Sequence, residues 1–165
     1  HRGKHEKIYA STGSLGHGLP ICVGSALAKK IQNKADHVFC LIGDGECNEG
    51  TIWESFMIAD NLKLTNLVCM IDNNNSQVRS MPSTGLAQKI QSFGWRVVVV
   101  NDGHNLKDIS RAIKFAKNES IRPTCIIFNT IKGKGISDME ENMFAWHHGP
   151  PNEEQYSKFC EELDA

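Results

Sequence analysis

The stretch LIGDGECNEG (41–50) combines two features that oppose each other. An apolar run ends in GDG (43–45), and two acids, Glu46 and Glu49, follow within a few positions. Glycines after a strand let the backbone approach a phosphate, whereas carboxylates repel one. The two features are compatible when a metal ion lies between carboxylate and phosphate. The stretch therefore predicts a strand that ends in a loop built around a cation.

Four short apolar runs occur along the chain, and none of them alternates with polar residues. We therefore predict four strands, each buried on both faces of its sheet. Between the strands, apolar residues recur with the period of a helix, and a further helix, capped by Asn152, is predicted near the C-terminal end. The predicted strands are 37–42, 67–71, 97–100 and 125–128, and the predicted helices are about 19–31, 51–62, 106–117 and 152–163.

The alternation of strands and helices predicts an α/β fold. We expect one three-layer α/β/α domain over residues 1–165, with a mostly parallel sheet covered by helices on both faces. In such sheets, ligands bind beyond the carboxyl ends of the strands. The loop that follows the strand 37–42 lies at that edge, so it is a candidate binding loop.

The composition limits the classes of partner. Hydrophobic residues make up 40% of the 165 residues and charged residues 22%, and the formal net charge is -1. This balance predicts no general affinity for nucleic acid or for a membrane. The six cysteines include no CxxC pair, so we expect reduced thiols and a cytoplasmic location. Because the sequence starts at His1 without a methionine, we interpret it as a processed or excised piece of a longer protein.

A second polar cluster follows the next predicted strand. DNNNSQ (72–77) comes after the strand 67–71, as the GDG loop comes after the strand before it. If the two strands are parallel neighbours, their loops lie side by side, and the side chains of Asp44 and Asn74 and the carbonyl of Ser76 become candidate ligands for Mg²⁺. The alternative is a pair of ordinary turns, because turns are rich in Gly, Asp and Asn.

Taken in order, the motifs of this sequence resemble those of transketolases. GDG followed about thirty residues later by an Asn at a strand end is similar to the diphosphate and magnesium motif of thiamin diphosphate enzymes. The chain most resembles the short N-terminal subunit of the split, two-chain transketolases. The similar segments are STGSLGHG (11–18), GDGECNEGTIWES (43–55), KLTNLVCMIDNN (63–74), DGHN (102–105), KGKGIS (132–137) and WHHGPPN (146–152).

The resemblance implies a cofactor site with thiamin diphosphate and Mg²⁺. It implies magnesium ligation by the Asp44 and Asn74 side chains and the Ser76 carbonyl. Other positions of the chain match residues that contact the cofactor in this family. The backbone near Gly43, Gly45 and Glu46 matches the diphosphate site, Gly13 and Leu15 match positions against the cofactor rings, and His147 matches the histidine that faces cofactor and substrate.

Further residues match catalytic and interface positions of the family. His147 lies beside His148, and either ring is a candidate for proton transfer to sugar hydroxyls, because imidazole titrates near neutral pH. His17 matches a position that contacts substrate. Glu49 and Glu54 match acids that lie at the subunit interface and link paired active sites.

The implied reaction transfers a two-carbon ketol unit from a ketose to an aldose. In the family, a glutamate on a second domain contacts the aminopyrimidine ring of the cofactor, and nothing in this chain resembles that domain. We therefore expect half an active site, completed by a C-terminal transketolase subunit that carries the pyrimidine-binding domain. The resemblance implies a heterotetramer or a larger assembly, with sugar substrates that carry phosphate.

Three alternatives differ in the features that they explain. The α subunit of a 2-oxo-acid dehydrogenase shares the GDG-to-Asn spacing, and an Asn four positions after the motif's Asp, as Asn48 is here, is common there. The segments STGSLGHG, KGKG and WHHGPPN favour transketolase instead. A non-catalytic partner domain with the same fold is the second alternative. A nicotinamide dinucleotide domain is disfavoured, because no G-x-G-x-x-G opens a helix directly after a strand.

Overall fold

The structure is a computed structural model, and it describes residues 4–77, 81–82 and 84–164, so His1 lies outside the described residues. The strands of its central sheet lie in the order β1-β2-β4-β3, and every neighbouring pair is parallel. The strands are β1 (Val38–Gly43), β2 (Leu67–Asn73), β3 (Arg96–Val100) and β4 (Thr124–Asn129). The helices are α1 (Gly18–Ile31), α2 (Gly50–Asn61), α3 (Leu86–Ser92), α4 (Leu106–Asn118), α5 (Ser137–Glu141) and α6 (Glu153–Asp164), with short 3₁₀ turns at Gly45–Asn48 and Ala145–His147.

The helices cover the sheet from two sides, which confirms the predicted three-layer α/β class. On one face, α1, α2 and α3 bury a large core around Phe56 and Trp95, whose rings meet edge to face with centroids 4.8 Å apart. The indole nitrogen of Trp95 donates a hydrogen bond of 2.9 Å to the Phe56 carbonyl, so its polar atom is satisfied inside the core. On the other face, α4 buries Ala112 and Ala116 against β2, β3 and β4.

The predicted elements agree with the observed ones to within two residues at each end. The predicted cap of α6 is also confirmed: Asn152 Oδ1 accepts a bond of 2.8 Å from the Gln155 backbone amide. Gln155 Oε1 in turn accepts one of 2.9 Å from the Asn152 amide, so the two residues form a reciprocal capping box. The sequence did not predict α3 or α5, which are short.

The prediction that every strand is buried on both faces is wrong for the two outer strands. In β1 the side chains of Phe39 and Leu41 are 39% and 67% exposed, and in β3 Val99 is 47% exposed. The reason is their position, because β1 and β3 are the edges of the order β1-β2-β4-β3. The inner strands β2 and β4 alone have helices over most of both faces.

The structure shows the state of the cysteines and the character of the helices. All six cysteines lie within the described residues, and all are free thiols there. In the part of the chain that the structure describes, no helix is both long enough and apolar enough to cross a bilayer.

Candidate functional site

The carboxyl ends of β1 and β2 bring the two polar loops together. In the register of these strands Gly43 lies opposite Asp72, and the Asp44 amide donates a bond of 3.0 Å to the Asp72 carbonyl. The ladder thus extends one residue past the end of β1. This arrangement confirms the prediction that the loops after the two strands are neighbours.

Asp44 is a buried carboxylate at this junction. Asp44 is only 3% exposed, and its Oδ1 accepts a hydrogen bond of 2.9 Å from the Gly45 amide. Burial raises the pKa of the Asp44 carboxyl, while hydrogen bonds from the Gly45 and Asn75 amides and the positive charge of Lys132 lower it. The net rise in this pKa means that the negative charge of Asp44 is destabilised in the folded chain, and a bound cation would offset that cost.

Asn74 is held by the acid that ends β2. Its Nδ2 donates a bond of 2.9 Å to Asp72 Oδ2, and its Oδ1 accepts one of 3.0 Å from the Ser76 amide. The other carboxylate oxygen of Asp72 accepts a hydrogen bond from the Thr130 hydroxyl. Asp72 therefore fixes which way the Asn74 amide faces.

Glu46 connects the GDG loop to the segment before α1. Its Oε2 accepts a bond of 3.0 Å from the Gly16 amide, and its Oε1 accepts a longer one of 3.4 Å from the Gly43 amide. Thr51, in the first turn of α2, donates from Oγ1 to the Gly16 carbonyl at 2.8 Å. These bonds hold Gly16 against the loop, while Leu15 beside it is 56% exposed.

The amides expected to meet a diphosphate have partners within the chain. The Gly45 amide donates to Asp44 and the Gly43 amide to Glu46. Both acceptors are carboxylates of the same loop, so a diphosphate bound here would compete with them for these N–H groups. A cation on Asp44 would draw its carboxylate toward the metal and favour that exchange.

His147 lies next to a lysine from the loop after β4. Its Nδ1 is 2.9 Å from Lys132 Nζ, and its ring meets that of His148 with centroids 4.4 Å apart. The Lys132 ammonium, followed by slight desolvation and the charge of His148, lowers the pKa of His147, and the charge of Asp44 acts in the opposite direction. The positive charge of Lys132 thus acts on both His147 and Asp44 and lowers the pKa of each. We infer a single cluster from these interactions.

Three predicted site residues lie apart from that cluster. His17 occupies the N-cap position of α1, is exposed, and has its Nδ1 3.0 Å from the Leu15 carbonyl oxygen. Glu49 and Glu54 are exposed at the start of α2 and within it. Within residues 4–77, 81–82 and 84–164, none of the hydrogen bonds or ion pairs joins these three side chains to Asn74 or His147. Gly13 is also exposed, in the segment before α1.

The sequence reasoning missed four residues that support the site. Asp72 and Thr130 orient Asn74, Gln77 donates from Nε2 to the Asp44 carbonyl at 3.1 Å, and Lys132 contacts His147. Three of them lie inside segments already singled out, DNNNSQ and KGKGIS. Their strand-end position was visible in the sequence, but their partners depend on the strand order.

The ligand set is poor in charged groups. No group of three or more His, Cys, Asp or Glu side chains that could hold a metal ion occurs within residues 4–77, 81–82 and 84–164. The predicted site needs only one carboxylate, with an amide oxygen and a backbone carbonyl. An oxygen-only set of this kind, completed by phosphate oxygens and water, suits Mg²⁺ rather than zinc.

Comparison with known proteins identifies the family. Residues 2–163 match the profile of the family described as "Transketolase, thiamine diphosphate binding domain". The chain is 40% identical over 162 residues to one subunit of the apulose-4-phosphate transketolase of Phocaeicola vulgatus, covering 94% of this chain and 57% of that protein. It is 38% identical over 162 residues to the 6-deoxy-6-sulfo-D-fructose transketolase subunit SqwG of Clostridium sp. (strain MSTE9), covering 95% of this chain and 58% of that protein.

Solved structures agree with the family match. The transketolase of Campylobacter jejuni superimposes with a TM-score of 0.79 at 28% identity, over 93% of this chain and 26% of that chain. The chain therefore spans somewhat more than half of the two subunits that it matches and about a quarter of the single-chain transketolase.

Proposed function

This chain belongs to the transketolase family, and on that premise we propose that it is the diphosphate-binding half of a two-chain transketolase-like enzyme. The enzyme would transfer a two-carbon ketol unit from a ketose to an aldose. The observation that carries the proposal is the buried Asp44 carboxylate at the junction of two neighbouring strand ends. We likewise propose that residues 1–165 form a single domain.

The residues at the junction fit a bound Mg²⁺ and thiamin diphosphate. Asp44 and Asn74 would supply side-chain oxygens to the metal, and Ser76 a carbonyl oxygen. The buried charge of Asp44 and the fixed amide of Asn74 support this assignment. When bound, the cofactor supplies the nucleophilic carbon that accepts and releases the two-carbon unit.

The rest of the cofactor would lie along the segment before α1. Backbone groups near Gly43, Gly45 and Glu46 would bind the diphosphate, and Gly13 and Leu15 would lie against the rings. The support for this placement is the bond from Gly16 to Glu46, which sets the segment 11–18 beside the GDG loop. The exposure of Leu15 leaves an apolar side chain open to a ring.

The histidines would move protons at the sugar. Lys132 lowers the pKa of His147, which favours the uncharged imidazole, the form that would accept a proton from a substrate hydroxyl. His148 packs edge to face on it and is the alternative group for the same role. His17, at the start of α1, would contact the sugar. We assign catalysis to His147 or His148, and a contact with substrate to His17.

A second chain would complete the active site. The two bacterial relatives are named as transketolase subunits, which supports a partner subunit that carries the pyrimidine-binding domain. Glu49 and Glu54 would lie at a subunit interface, because Met57 and Ile58, on the same helix as Glu54, are 48% and 43% exposed. We propose a heterotetramer or a larger assembly, located in the cytoplasm, where the free thiols stay reduced.

The substrates would be sugars that carry an anionic group. The names of the relatives specify apulose 4-phosphate and 6-deoxy-6-sulfo-D-fructose, one a phosphate ester and the other a sulfonate. Both names specify a sugar with an anionic group. A ketose phosphate is therefore the first substrate to test.

Cofactor-dependent stabilisation tests the site. We expect thiamin diphosphate with Mg²⁺ at about 100 times its Kd to stabilise the chain by about 2.7 kcal/mol. For a chain of this length, that free energy corresponds to a rise in melting temperature of about 5 to 10 °C. The control is thiamin without its diphosphate, which leaves the metal without phosphate oxygens. If thiamin diphosphate and Mg²⁺ cause no rise even in the presence of the partner chain, the non-catalytic alternative is favoured.

Turnover tests the division of the site between two chains. We expect the purified chain to convert ketose phosphates and aldoses only when the partner chain is added. The same panel should contain pyruvate, because its consumption without sugars would indicate a 2-oxo-acid dehydrogenase subunit. Normal enzymatic turnover of sugars by the chain alone would contradict the half-site proposal.

Replacing Lys132 by Met is expected to raise the pKa of His147 in the cofactor-free chain, because the ammonium beside Nδ1 disfavours the charged ring. It should also weaken thiamin diphosphate binding, because the chain loses a positive charge that acts close to the proposed diphosphate site. Titration of the His147 ring by NMR measures the first effect.

The matched control is Lys134→Met in the same loop. Lys134 Nζ pairs with Glu140 Oε1 at 3.2 Å, so its removal should leave the pKa of His147 unchanged. If His147 titrates at the same pH in the wild-type and Lys132→Met chains, the contact between Lys132 and His147 does not exist in solution.

A further inference from the structure

Three cysteines stand side by side across three strands. In the register of the sheet, Cys40 of β1 lies opposite Cys69 of β2, and Cys69 lies opposite Cys125 of β4. Since residues in register point to the same face of a sheet, their thiols lie in one row, on the face that α1, α2 and α3 cover. Cys22 of α1 packs against the same core from above.

These four thiols form two neighbouring pairs of different exposure. Cys69 and Cys125 lie opposite each other in the register of β2 and β4 and are 0% exposed, so no reagent reaches them in the folded chain. Cys22 Sγ lies over β1, next to the carbonyl of the residue before Cys40, and Cys22 is only half-buried. The difference follows from the topology, since β1 is the edge of the sheet and Cys22 lies over that edge.

We propose that Cys22 is a site of modification by low-molecular-weight disulfides such as oxidised glutathione, and that Cys40 resolves the adduct into an intramolecular disulfide. The geometry assigns these roles, because Cys22 is the accessible thiol of the pair and Cys40, 4% exposed, is its buried partner. The proposal concerns this chain's own thiols and does not depend on the proposed cofactor site.

The chemistry balances in two exchange steps. In the first, the Cys22 thiolate attacks one sulfur of the disulfide, forms a mixed disulfide and releases one thiolate of the reagent. In the second, the Cys40 thiol gives up its proton and attacks the Cys22 sulfur, which releases the second reagent thiolate. The two protein thiols are oxidised by two electrons, and the reagent disulfide is reduced to two thiols.

The electrostatics of the pair favour this order of events. The hydrogen bond from the Cys40 thiol lowers the pKa of Cys22, and the same bond together with burial raises the pKa of Cys40. The thiolate is the nucleophile in such exchange, so the exposed member of the pair is also the more reactive one. The Cys22 Sγ lies 4.0 Å from the Phe39 carbonyl oxygen, which keeps it over β1 near Cys40.

Mass spectrometry after treatment with oxidised glutathione tests the assignment. The full chain should lose the mass of two hydrogen atoms, and peptide mapping should place the new disulfide between Cys22 and Cys40. The Cys40→Ser chain should stop at one glutathione adduct on Cys22. The Cys22→Ser chain should show no modification of Cys40, while Cys69 and Cys125 stay reduced in every chain until it is unfolded.

Cys160 provides the matched control, since it is also half-buried but lies in α6, where it interacts with Tyr156. The Cys160→Ser chain should form the same Cys22–Cys40 disulfide as the wild type. The proposal is overturned if the adduct in the Cys40→Ser chain maps to a cysteine other than Cys22. It is equally overturned if the Cys22→Ser chain still loses two hydrogen atoms in its folded state.

Discussion

The Asp44→Asn chain is expected to lose the stabilisation by Mg²⁺ and thiamin diphosphate, with a Kd for the cofactor about 100-fold higher or more. Outer partners of metal ligands already contribute about 10- to 100-fold in affinity, and a direct carboxylate ligand should contribute no less. Asn keeps the size of the side chain but removes the charge that attracts the cation. Calorimetric titration of the cofactor, with Mg²⁺ present throughout, measures the change.

The same substitution should change how stability depends on pH in the cofactor-free chain. Burial raises the pKa of Asp44 in the folded state above its unfolded value. The group therefore contributes stability that is complete below its unfolded pKa and is lost as the pH rises through the folded one. The Asp44→Asn chain should lack this loss, so its free energy of unfolding falls less than that of the wild type between acid and neutral pH.

Asp102→Asn is the control for both measurements. Asp102 is an exposed acid beyond the end of β3, and its Oδ1 accepts a bond of 3.0 Å from the His104 amide, which an Asn oxygen also accepts. The Asp102→Asn chain should bind the cofactor with the Kd of the wild type, and its free energy of unfolding should depend on pH as that of the wild type does. If the Asp44→Asn chain binds the cofactor as tightly as the wild type, Asp44 does not ligate a metal, and the proposed enzymatic function is contradicted as well.

The fold was predictable because its signals are local and repeated. Runs such as 67–71 and 125–128 are apolar on both sides, which only an inner strand of a covered parallel sheet requires, and β2 and β4 are those inner strands. The proximity of the loops that contain Asp44 and Asn74 was predictable for a related reason. Two successive strands that are parallel neighbours place their following loops at one edge of the sheet.

The remaining features depend on contacts between distant parts of the chain. The run 37–42 has the same apolar character as the inner strands, yet Leu41 is exposed, because the exposure of a strand depends on its place in the sheet. β4 lies between β2 and β3, and that order places Thr130 next to Asp72. The pairing of Lys132 with His147 likewise joins two loops whose approach no local pattern specifies.

Gly16 is a glycine whose role becomes visible only in the folded chain. Its φ is +78°, in the left-handed region that side chains disfavour. A Cβ built on it would lie 2.5 Å from Thr51 Oγ1 and 2.7 Å from Glu49 Cβ, both closer than real contacts. Gly16 also donates to Glu46 and accepts from Thr51, so the same residue joins the segment 11–18 to the GDG loop and to α2.

Replacing Gly16 by Ala should lower the free energy of unfolding by about 2 to 4 kcal/mol, the sum of a left-handed Ala and an overpacked contact. Urea denaturation followed by circular dichroism measures the loss. Gly24→Ala is the matched control. Gly24 is exposed in α1, and a Cβ added there would meet no neighbouring atom within 4 Å. Because Ala favours a helix more than Gly does, this substitution should raise the free energy of unfolding by up to about 1 kcal/mol. The two identical substitutions should therefore have opposite signs. If Gly16→Ala stays within about 0.5 kcal/mol of the wild type, the segment 11–18 is not packed against Glu49 and Thr51 in solution, and its placement beside the proposed diphosphate site fails with it.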